Sequence, residues 1–226
     1  MSVIMEDEIP RRDFLRRRVK KLGATAVFGQ VLFMTLVVPV LRRTAAKRLR
    51  TLKDEMAATA EIENVTRIDS VNSDAGREVL RAAAPAVVVV NGTRIIGKKT
   101  LECVNAQFIN MHAGITPLYR GVHGGYWALA ENKSELAGTT VHLVDTGIDT
   151  GDIIEQAFFQ VSPADNFVTY PHLHTRAGIE VLIKSVGRAL NGELKTKKPI
   201  ADLPSKLRYH PTLWEYIYYR LRHGVK

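Results

Sequence analysis

Four consecutive valines, Val87 to Val90, lie between Pro85 and Gly92. An apolar run of this length, bounded by turn-forming residues, suits a central strand that is buried on both faces of a parallel sheet. Strand-like and helix-like segments alternate along most of the remaining chain. This alternation predicts an α/β fold in which helices flank a parallel sheet.

The local patterns predict where the individual elements lie. We predict strands within residues 2–5, 85–92, 106–112, 139–145 and 151–161, the last two of them able to pair as a hairpin. We predict helices over residues 11–21, 22–41, 42–60, 74–81, 98–105, 124–131, 171–190 and 211–222, with Ser73 as an N-cap and Asn191-Gly192 as a helix end.

Positive charge is concentrated near the N-terminus. The formal net charge is +9, and thirteen Lys or Arg residues but only one acid, Asp13, lie between Arg11 and Lys53. A local basic excess favours an anionic partner such as a nucleotide, RNA or an anionic membrane surface. A solvated face that promotes solubility explains the same pattern, and both interpretations stay open.

An apolar segment, Leu22 to Leu41, lies between the basic clusters and approaches the length of a membrane span. Gly29 and Pro39 interrupt it, and no small-residue cleavage pattern follows it. We therefore prefer a buried or interfacial helix to a true span. The single cysteine, Cys103, excludes an internal disulfide and fits a reducing compartment, so we expect a cytoplasmic protein that lies on or near the inner face of the membrane.

Residues 1–60 form one predicted unit, a basic and apolar helical segment with a short first strand, and residues 61–226 form a core with C-terminal helices. The composition, 46% hydrophobic and 24% charged, is that of an ordinary globular protein. The chain is long enough for one domain or for a core domain with a small appendage.

Polar side chains mark the end of the strand predicted at residues 106–112. Asn110 and His112 are two residues apart, so strand geometry places both side chains on one face. Asp149 lies in a later Gly-rich turn, and ligands of open α/β sheets bind where strands end and connections diverge. An amide, an imidazole and a carboxylate could stabilise an oxyanion and move a proton during formyl transfer to an amine.

These residues resemble the core of the folate-dependent formyltransferases, which act on glycinamide ribonucleotide, methionyl-tRNA or amino sugars. The family's Asn-x-His, Leu-Pro-type turn and Tyr-Arg-Gly are matched by Asn110, His112, Thr116-Pro117 and Tyr119-Arg120-Gly121. Its Asp-x-Gly-x-Asp-x-Gly loop is matched by residues 145–151, with Asp149 at the essential position. The similarity covers roughly residues 83–162.

The resemblance implies a Rossmann-like, mostly parallel sheet, 10-formyltetrahydrofolate as the donor and a primary amine as the acceptor. It implies three catalytic residues, Asn110, His112 and Asp149. It implies cofactor-binding residues in two loops: Arg94, Ile95, Ile96, Asp145, Gly147 and Ile148. It implies acceptor-binding residues that follow the Asn-x-His motif: Tyr119, Arg120, Gly121 and His123.

Other histidines receive weaker assignments. His142 alternates within a predicted strand, which favours a structural or surface role. His172 and His174 have metal-ligand types but no third ligand at a suitable spacing, so we expect no metal site.

Two departures from the family pattern stand out. Gly114 occupies the position two residues after the histidine, where the family usually has serine. The chain also begins near the family's second strand, so we expect the usual first strand-loop-helix unit to be missing.

Competing functions stay open at this stage. Tyr119-Arg120-Gly121 is shared with sugar-modifying and tRNA-modifying relatives, and we favour an amino sugar on a nucleotide as the acceptor. About thirty-five residues follow Asn191, which makes tRNA an unlikely partner. The alternatives are a 10-formyltetrahydrofolate hydrolase and a non-catalytic, membrane-associated protein with a formyltransferase-like shell. The sequence predicts neither the individual acceptor nor the oligomeric state.

Overall fold

The computed structural model describes residues 2–57, 64–199 and 203–226. The strands are β1 (Val3–Glu6), β2 (Val65–Ile68), β3 (Val87–Val90), β4 (Gln107–His112), β5 (Tyr119–Gly121), β6 (Gly138–Leu143), β7 (Ile153–Phe158) and β8 (Lys206–Arg208). The α-helices are α1 (Arg11–Leu22), α2 (Ala24–Leu32), α3 (Val38–Thr44), α4 (Ala46–Glu55), α5 (Asp74–Ala83), α6 (Lys98–Leu101), α7 (Gly124–Ala130), α8 (Tyr170–Leu190) and α9 (Leu213–His223). A π-helix (Phe33–Val37) joins α2 to α3, and a 3₁₀ turn (Ser134–Leu136) follows α7.

The main sheet has four strands in the order β3-β4-β6-β7. β3 and β4 are parallel, whereas β4 pairs with β6 and β6 with β7 in antiparallel fashion. Parallel pairs also join β1 to β2 and β5 to β8 in separate two-stranded sheets. The predicted α/β architecture and the β6–β7 hairpin are therefore confirmed, and the main sheet is mixed because the hairpin returns the chain against β4.

The valine strand differs from its prediction in one respect. β3 is an edge strand of the four-stranded sheet, and Val89 is 48% exposed, so β3 is not a central strand buried on both faces. Val88 and Val90 pack in a cluster with Ile4, Ile68 and Phe108, which brings β1 and β2 beside this edge. A continuous apolar run thus marks a strand whose burial is only partial.

The apolar N-terminal segment is helical from Ala24 to Thr44, and the π-helix interrupts it. Gly23, with a φ of 85°, ends α1 just before it. The π-helix precedes Pro39, which has no backbone N–H to donate. Phe33 in this π-helix is fully buried and packs on Phe167 and Tyr216. The N-terminal helices and the C-terminal α9 therefore share one hydrophobic core.

Helix Ala24–Thr44 is long and apolar enough to cross a membrane by length and composition, and a stretch of 18 residues within it has a mean hydropathy of 2.0. In the folded chain 28% of that stretch is buried, and a core helix of a globular protein satisfies the same criterion. α4 is shorter than the prediction to residue 60, ending at Glu55, and residues 58–60 lie outside the described part of the chain.

Among the remaining helices, α5, α8 and α9 follow the sequence pattern closely. Ser73 accepts a hydrogen bond from the Gly76 backbone N–H and caps α5. α8 ends at Leu190, next to Asn191. α9 begins with a reciprocal capping box between Thr212 and Glu215, two residues later than predicted. α6 is shorter than predicted and ends at Leu101.

Candidate active site

The end of β4 presents two polar side chains to a cavity of about 580 Å³. Asn110 and His112 both line it, as the period of two along a strand requires. The intervening Met111 also packs towards Gly178 of α8 on the opposite side of the sheet. β4 thus anchors an amide and an imidazole on a rigid element.

The contacts of His112 determine which of its two ring nitrogens carries the proton in the neutral form. Its Nε2 lies 2.7 Å from the Tyr119 carbonyl oxygen, which can only accept, so Nε2 carries a proton. Its Nδ1 lies 3.4 Å from Oδ2 of Asp149. In the neutral ring Nδ1 is therefore the basic nitrogen, and it is directed towards a carboxylate.

Asp149 is held by the loop between β6 and β7. The Asp145 carboxylate accepts hydrogen bonds from the Gly147 backbone N–H and the Thr150 hydroxyl, which closes a tight turn. Asp149 adopts a left-handed conformation with φ of 53°, an uncommon choice for a residue other than glycine. Its Oδ2 accepts a hydrogen bond of 2.8 Å from the Gly121 backbone N–H.

Gly151 shows why the loop needs glycine after this aspartate. A Cβ atom at Gly151 would lie 1.8 Å from the Leu143 carbonyl oxygen, which is backbone and has little freedom to move. The Asp-x-Gly-x-Asp-x-Gly spacing is therefore explained by a turn that folds back against the end of β6.

His142 belongs to the same cluster, so of the two roles predicted for it the surface role is wrong and the structural role stays a prediction. It is buried, and it lies directly opposite Asn110 across the antiparallel β4–β6 pair. The Asn110 amide nitrogen lies 3.1 Å from His142 Nε2, and His142 Nδ1 lies 2.7 Å from the Leu143 carbonyl oxygen. Nδ1 therefore donates, Nε2 accepts, and the Asn110 amide orientation is fixed with its second N–H free.

Burial and charge act in opposite directions on the two titrating partners. Burial lowers the pKa of His112 from its ordinary value of 6.5, although the Asp149 carboxylate opposes this change. Burial acts to raise the pKa of Asp149, but its contacts with His142, His112 and the Gly121 N–H together hold that pKa below its ordinary value. The resting pair is thus a neutral imidazole beside an ionised carboxylate.

The residues assigned to the cofactor lie in two loops that line the same cavity: Arg94, Ile95, Ile96, Asp145, Gly147 and Ile148. Ile96 is buried, whereas Ile95 is 57% exposed. The Arg94 guanidinium pairs with Glu6 at 3.0 Å and donates to the carbonyl oxygens of Asp7 and Asp69. Much of its hydrogen-bonding capacity therefore ties this loop to β1 and β2.

The residues assigned to the acceptor are distributed less uniformly. Gly121 lines the cavity, and Arg120 donates to the Ile148 carbonyl oxygen and to Ser205. The side chain of Tyr119 is buried in the hydrophobic core with its hydroxyl bonded to Glu131, so its assignment to acceptor contact is corrected. Only its backbone carbonyl reaches the site, through His112.

His123 lies behind the cavity wall and is absent from its lining. It packs on Phe167, and its Nε2 lies 3.0 Å from Nδ1 of His210, which does line the cavity. Its predicted acceptor contact is therefore replaced by an indirect position. The sequence pattern missed His210, as well as Phe14 and Arg18 of α1, because no local motif connects these distant segments to β4.

Gly114 occupies the position two residues after His112 at which serine was expected, and the structure leaves little space for a side chain there. A Cβ atom at Gly114 would lie 2.5 Å from the Tyr119 carbonyl oxygen and 2.8 Å from His112 Nε2. Glycine at this position lets the Tyr119 carbonyl approach the histidine ring.

Within the described residues, no group of three or more His, Cys, Asp or Glu side chains could hold a metal ion.

Comparisons with known proteins identify formyl transferases as similar to this chain. The family model for formyl transferases matches residues 18–186. A methionyl-tRNA formyltransferase from Koribacter versatilis is 33% identical over 122 residues, which cover 54% of this chain and 39% of that protein. One from Clostridium tetani is 28% identical over 189 residues, which cover 81% and 57%, respectively. The aligned part of the chain thus spans between 39% and 57% of the length of these two relatives.

A solved structure shows the same fold. The formyltransferase PseJ from Anoxybacillus kamchatkensis, in complex with UDP-4,6-dideoxy-4-formamido-L-AltNAc and tetrahydrofolate, superposes with a TM-score of 0.52 and 20% identity, covering 77% of this chain and 85% of PseJ. This likeness confirms the Rossmann-like fold. The family match covers well over half of the sequence and includes Asn110, His112 and Asp149, so this chain belongs to the formyl transferase family.

Proposed function

We propose that this chain transfers a formyl group from 10-formyltetrahydrofolate to a primary amine. The observation that carries the proposal is the convergence of Asn110, His112 and Asp149 at one wall of the cavity, with 3.4 Å between His112 Nδ1 and the Asp149 carboxylate. Membership of the formyl transferase family supports the same chemistry.

The cavity fits a folate of this kind. Apolar residues from the sheet and both loops line it, among them Val90, Ile96 and Val144, and loop backbone lies between them. A flat heterocycle with polar edges needs this combination of apolar surface and backbone hydrogen-bonding groups. When bound, the folate supplies the formyl carbon and a leaving nitrogen.

Each polar group then has one task. The free N–H of the Asn110 amide donates towards the formyl oxygen, on which negative charge develops. His112 Nδ1 accepts the proton that the attacking amine loses and returns it to the leaving nitrogen. Asp149 stabilises the imidazolium during this interval and orients the ring.

We propose an amine linked to a nucleotide, such as an amino sugar, as the acceptor. The PseJ complex with a UDP-linked formamido sugar supports this class. The methionyl-tRNA formyltransferases among the relatives support aminoacyl-tRNA instead, so the test includes both.

The experiment is to incubate the full chain with 10-formyltetrahydrofolate and a panel of amino-sugar nucleotides, free amino sugars and methionyl-tRNA. Mass spectrometry then detects a formyl mass shift on each acceptor. We expect the shift on at least one amine in wild-type protein and its loss in Asp149→Asn. Release of formate at the same rate with and without every amine would favour the hydrolase.

We also propose that the N-terminal helices rest on an anionic membrane surface. Phe28 is 61% exposed on α2 and Leu221 is 82% exposed on α9. Gly29 packs directly against Trp214, so the apolar surfaces of α2 and α9 adjoin each other. α1 and α4, which precede and follow the apolar segment in the chain, carry basic side chains, as expected for an interfacial helix on anionic lipid. The expected cytoplasmic location stays a prediction.

Co-sedimentation with vesicles tests this second proposal. We expect binding to phosphatidylglycerol-containing vesicles at low salt, weaker binding to pure phosphatidylcholine, and a marked loss in Leu221→Glu. Self-association of the chain in solution without vesicle binding, measured by light scattering, would contradict it.

A further inference from the structure

Helix α1 contributes a wall of the catalytic cavity that the family motifs do not include. Phe14 and Arg18, one helical turn apart, line the same cavity as Asn110, His112 and Asp149. The cavity therefore has a positively charged group as well as the proton-transfer residues.

The guanidinium of Arg18 is held in place by a chain of hydrogen bonds. Its Nε donates to Oε1 of Gln30 at 2.8 Å, and Nε2 of that buried glutamine donates to the His210 carbonyl oxygen at 2.9 Å. The guanidinium also lies 5.4 Å from the centre of the Phe14 ring and 5.9 Å from that of Tyr209. These contacts orient the fork before any ligand arrives.

The same guanidinium has unsatisfied capacity. Its Nη2 is buried without a hydrogen-bond partner, and across residues 2–57, 64–199 and 203–226 no carboxylate lies within 4.0 Å of its nitrogens. Partial burial lowers the pKa of Arg18, but an arginine stays charged at neutral pH. A half-buried cation without a counter-ion is costly, and an anionic ligand would remove that cost.

The histidines next to Arg18 do not compete for this role. Burial, with the positive charge of Arg18 as a smaller cause, lowers the pKa of His210 to about 4 and that of His123 to about 3. Both rings are thus neutral at pH 7. They leave the positive charge to Arg18, while His210 adds a polar ring to the cavity wall.

We propose that Arg18 is an anion-binding residue that holds the diphosphate of a nucleotide-linked acceptor while the acceptor's amine faces His112. This assignment rests on the proposed function and names its substrate class. A planar guanidinium binds two phosphate oxygens at once, which a lysine does not.

Binding measurements test the assignment without relying on catalysis. Isothermal titration calorimetry with UDP and dTDP compares the full-length wild type with Arg18→Gln, Arg18→Lys and Arg17→Gln. We expect a Kd at least about tenfold weaker in Arg18→Gln, since a desolvated, charge-assisted contact is lost. Arg18→Lys should lie in between, and the exposed control Arg17→Gln should stay within about twofold of wild type.

Circular dichroism and thermal unfolding establish that each variant is folded. Arg18→Lys keeps the positive charge, so it tests the contact of the guanidinium with two phosphate oxygens if Arg18→Gln is destabilised. Equal affinity of wild type and both Arg18 variants, no binding of either nucleotide by wild type, or binding of tRNA alone would each overturn the assignment.

Kinetics separate this inference from the proposed function. With a competent acceptor, Arg18→Gln should raise the acceptor KM by about tenfold while kcat changes little, because the contact is remote from the reacting atoms. Arg18-dependent nucleotide binding without any formyl transfer would leave the subsite standing and remove the proposed function. Formyl transfer with an acceptor KM that does not depend on Arg18 would leave the proposed function standing and remove the subsite.

Discussion

Two pairs of histidines lie at this site, and their charged neighbours have opposite signs. His112 and His142 lie 3.4 and 3.7 Å from the Asp149 carboxylate. His123 and His210 lie 3.0 Å from each other, and the nearby Arg18 guanidinium lowers the pKa of both. Similar side chains in one region of the fold are therefore set for different tasks.

In the proposed mechanism the carboxylate lets His112 hold a proton for a short time, because an imidazolium formed there meets a negative charge. Burial is the main reason that the second pair is neutral, and the Arg18 guanidinium adds to this effect. The guanidinium also gives its side of the cavity a positive charge. In the proposed account, proton transfer and anion binding are therefore separated in space. Changing residues on the carboxylate side should affect the rate, and changing those on the guanidinium side should affect affinity and acid stability.

The largest effect should follow His112→Ala. We expect formyl transfer to fall by about 10²- to 10⁴-fold, the usual contribution of a positioned acid-base group. The variant should fold with reduced stability, because His112 is buried and its Nε2 donates to the Tyr119 carbonyl oxygen. Steady-state kinetics measure the rate, and His172→Ala on α8 provides a histidine control away from the cavity. A rate within twofold of wild type would reject the proton-transfer role.

A somewhat smaller loss, about 10²-fold, should follow Asp149→Asn, which keeps the shape but removes the charge. Since Asp149 raises the pKa of His112, the acid limb of the pH–rate profile should move to lower pH. In wild type that limb lies below pH 6.5, because burial lowers the His112 pKa from that value and the neutral ring is the active form. Asp152→Asn, three residues along the same loop, is the matched control.

About a tenfold loss in kcat should follow His142→Phe, which removes the acceptor for the Asn110 amide while filling its space. His142 acts as a positioning residue, so rescue should depend on hydrogen bonding. His142→Gln should recover part of the rate through its amide oxygen. Equal rates in both variants would show that packing alone matters at this position.

The smallest effect concerns stability at acid pH. Burial lowers the pKa of His123 and His174 to about 3 and that of His210 to about 4, so the unfolded chain takes up protons below pH 6.5 that the folded chain does not. Each such histidine should therefore lower the free energy of unfolding by up to about 1.4 kcal/mol per pH unit as pH falls between about 6 and 4. Urea unfolding across this range should show a shallower slope in His210→Asn than in the exposed control His223→Asn.

The sequence predicted the local geometry of this site well, because strand period and turn conformation are local properties. The spacing of Asn110 and His112 placed both on one face of β4, and the glycines around Asp149 indicated a tight loop. Both features depend only on residues within a few positions of one another.

The remaining contacts are long-range and could not be predicted. His142 lies opposite Asn110 only because β6 runs antiparallel to β4, whereas alternating helices and strands suggested a parallel sheet. Arg18 reaches the cavity through Gln30 and His210, residues that are distant in the sequence. Tyr119 was assigned to the acceptor because it belongs to the motif, but its ring is needed in the core.

The measurement that tests the central claim most directly is a single-turnover reaction with 10-formyltetrahydrofolate carrying a ¹³C-labelled formyl group and an accepted amine. NMR follows the label while absorbance follows tetrahydrofolate. The account predicts that tetrahydrofolate and N-formylated amine appear in equal amounts at the same rate, and that Asp149→Asn slows both equally. Label that appears as free formate, or transfer that is unchanged in Asp149→Asn, would contradict it.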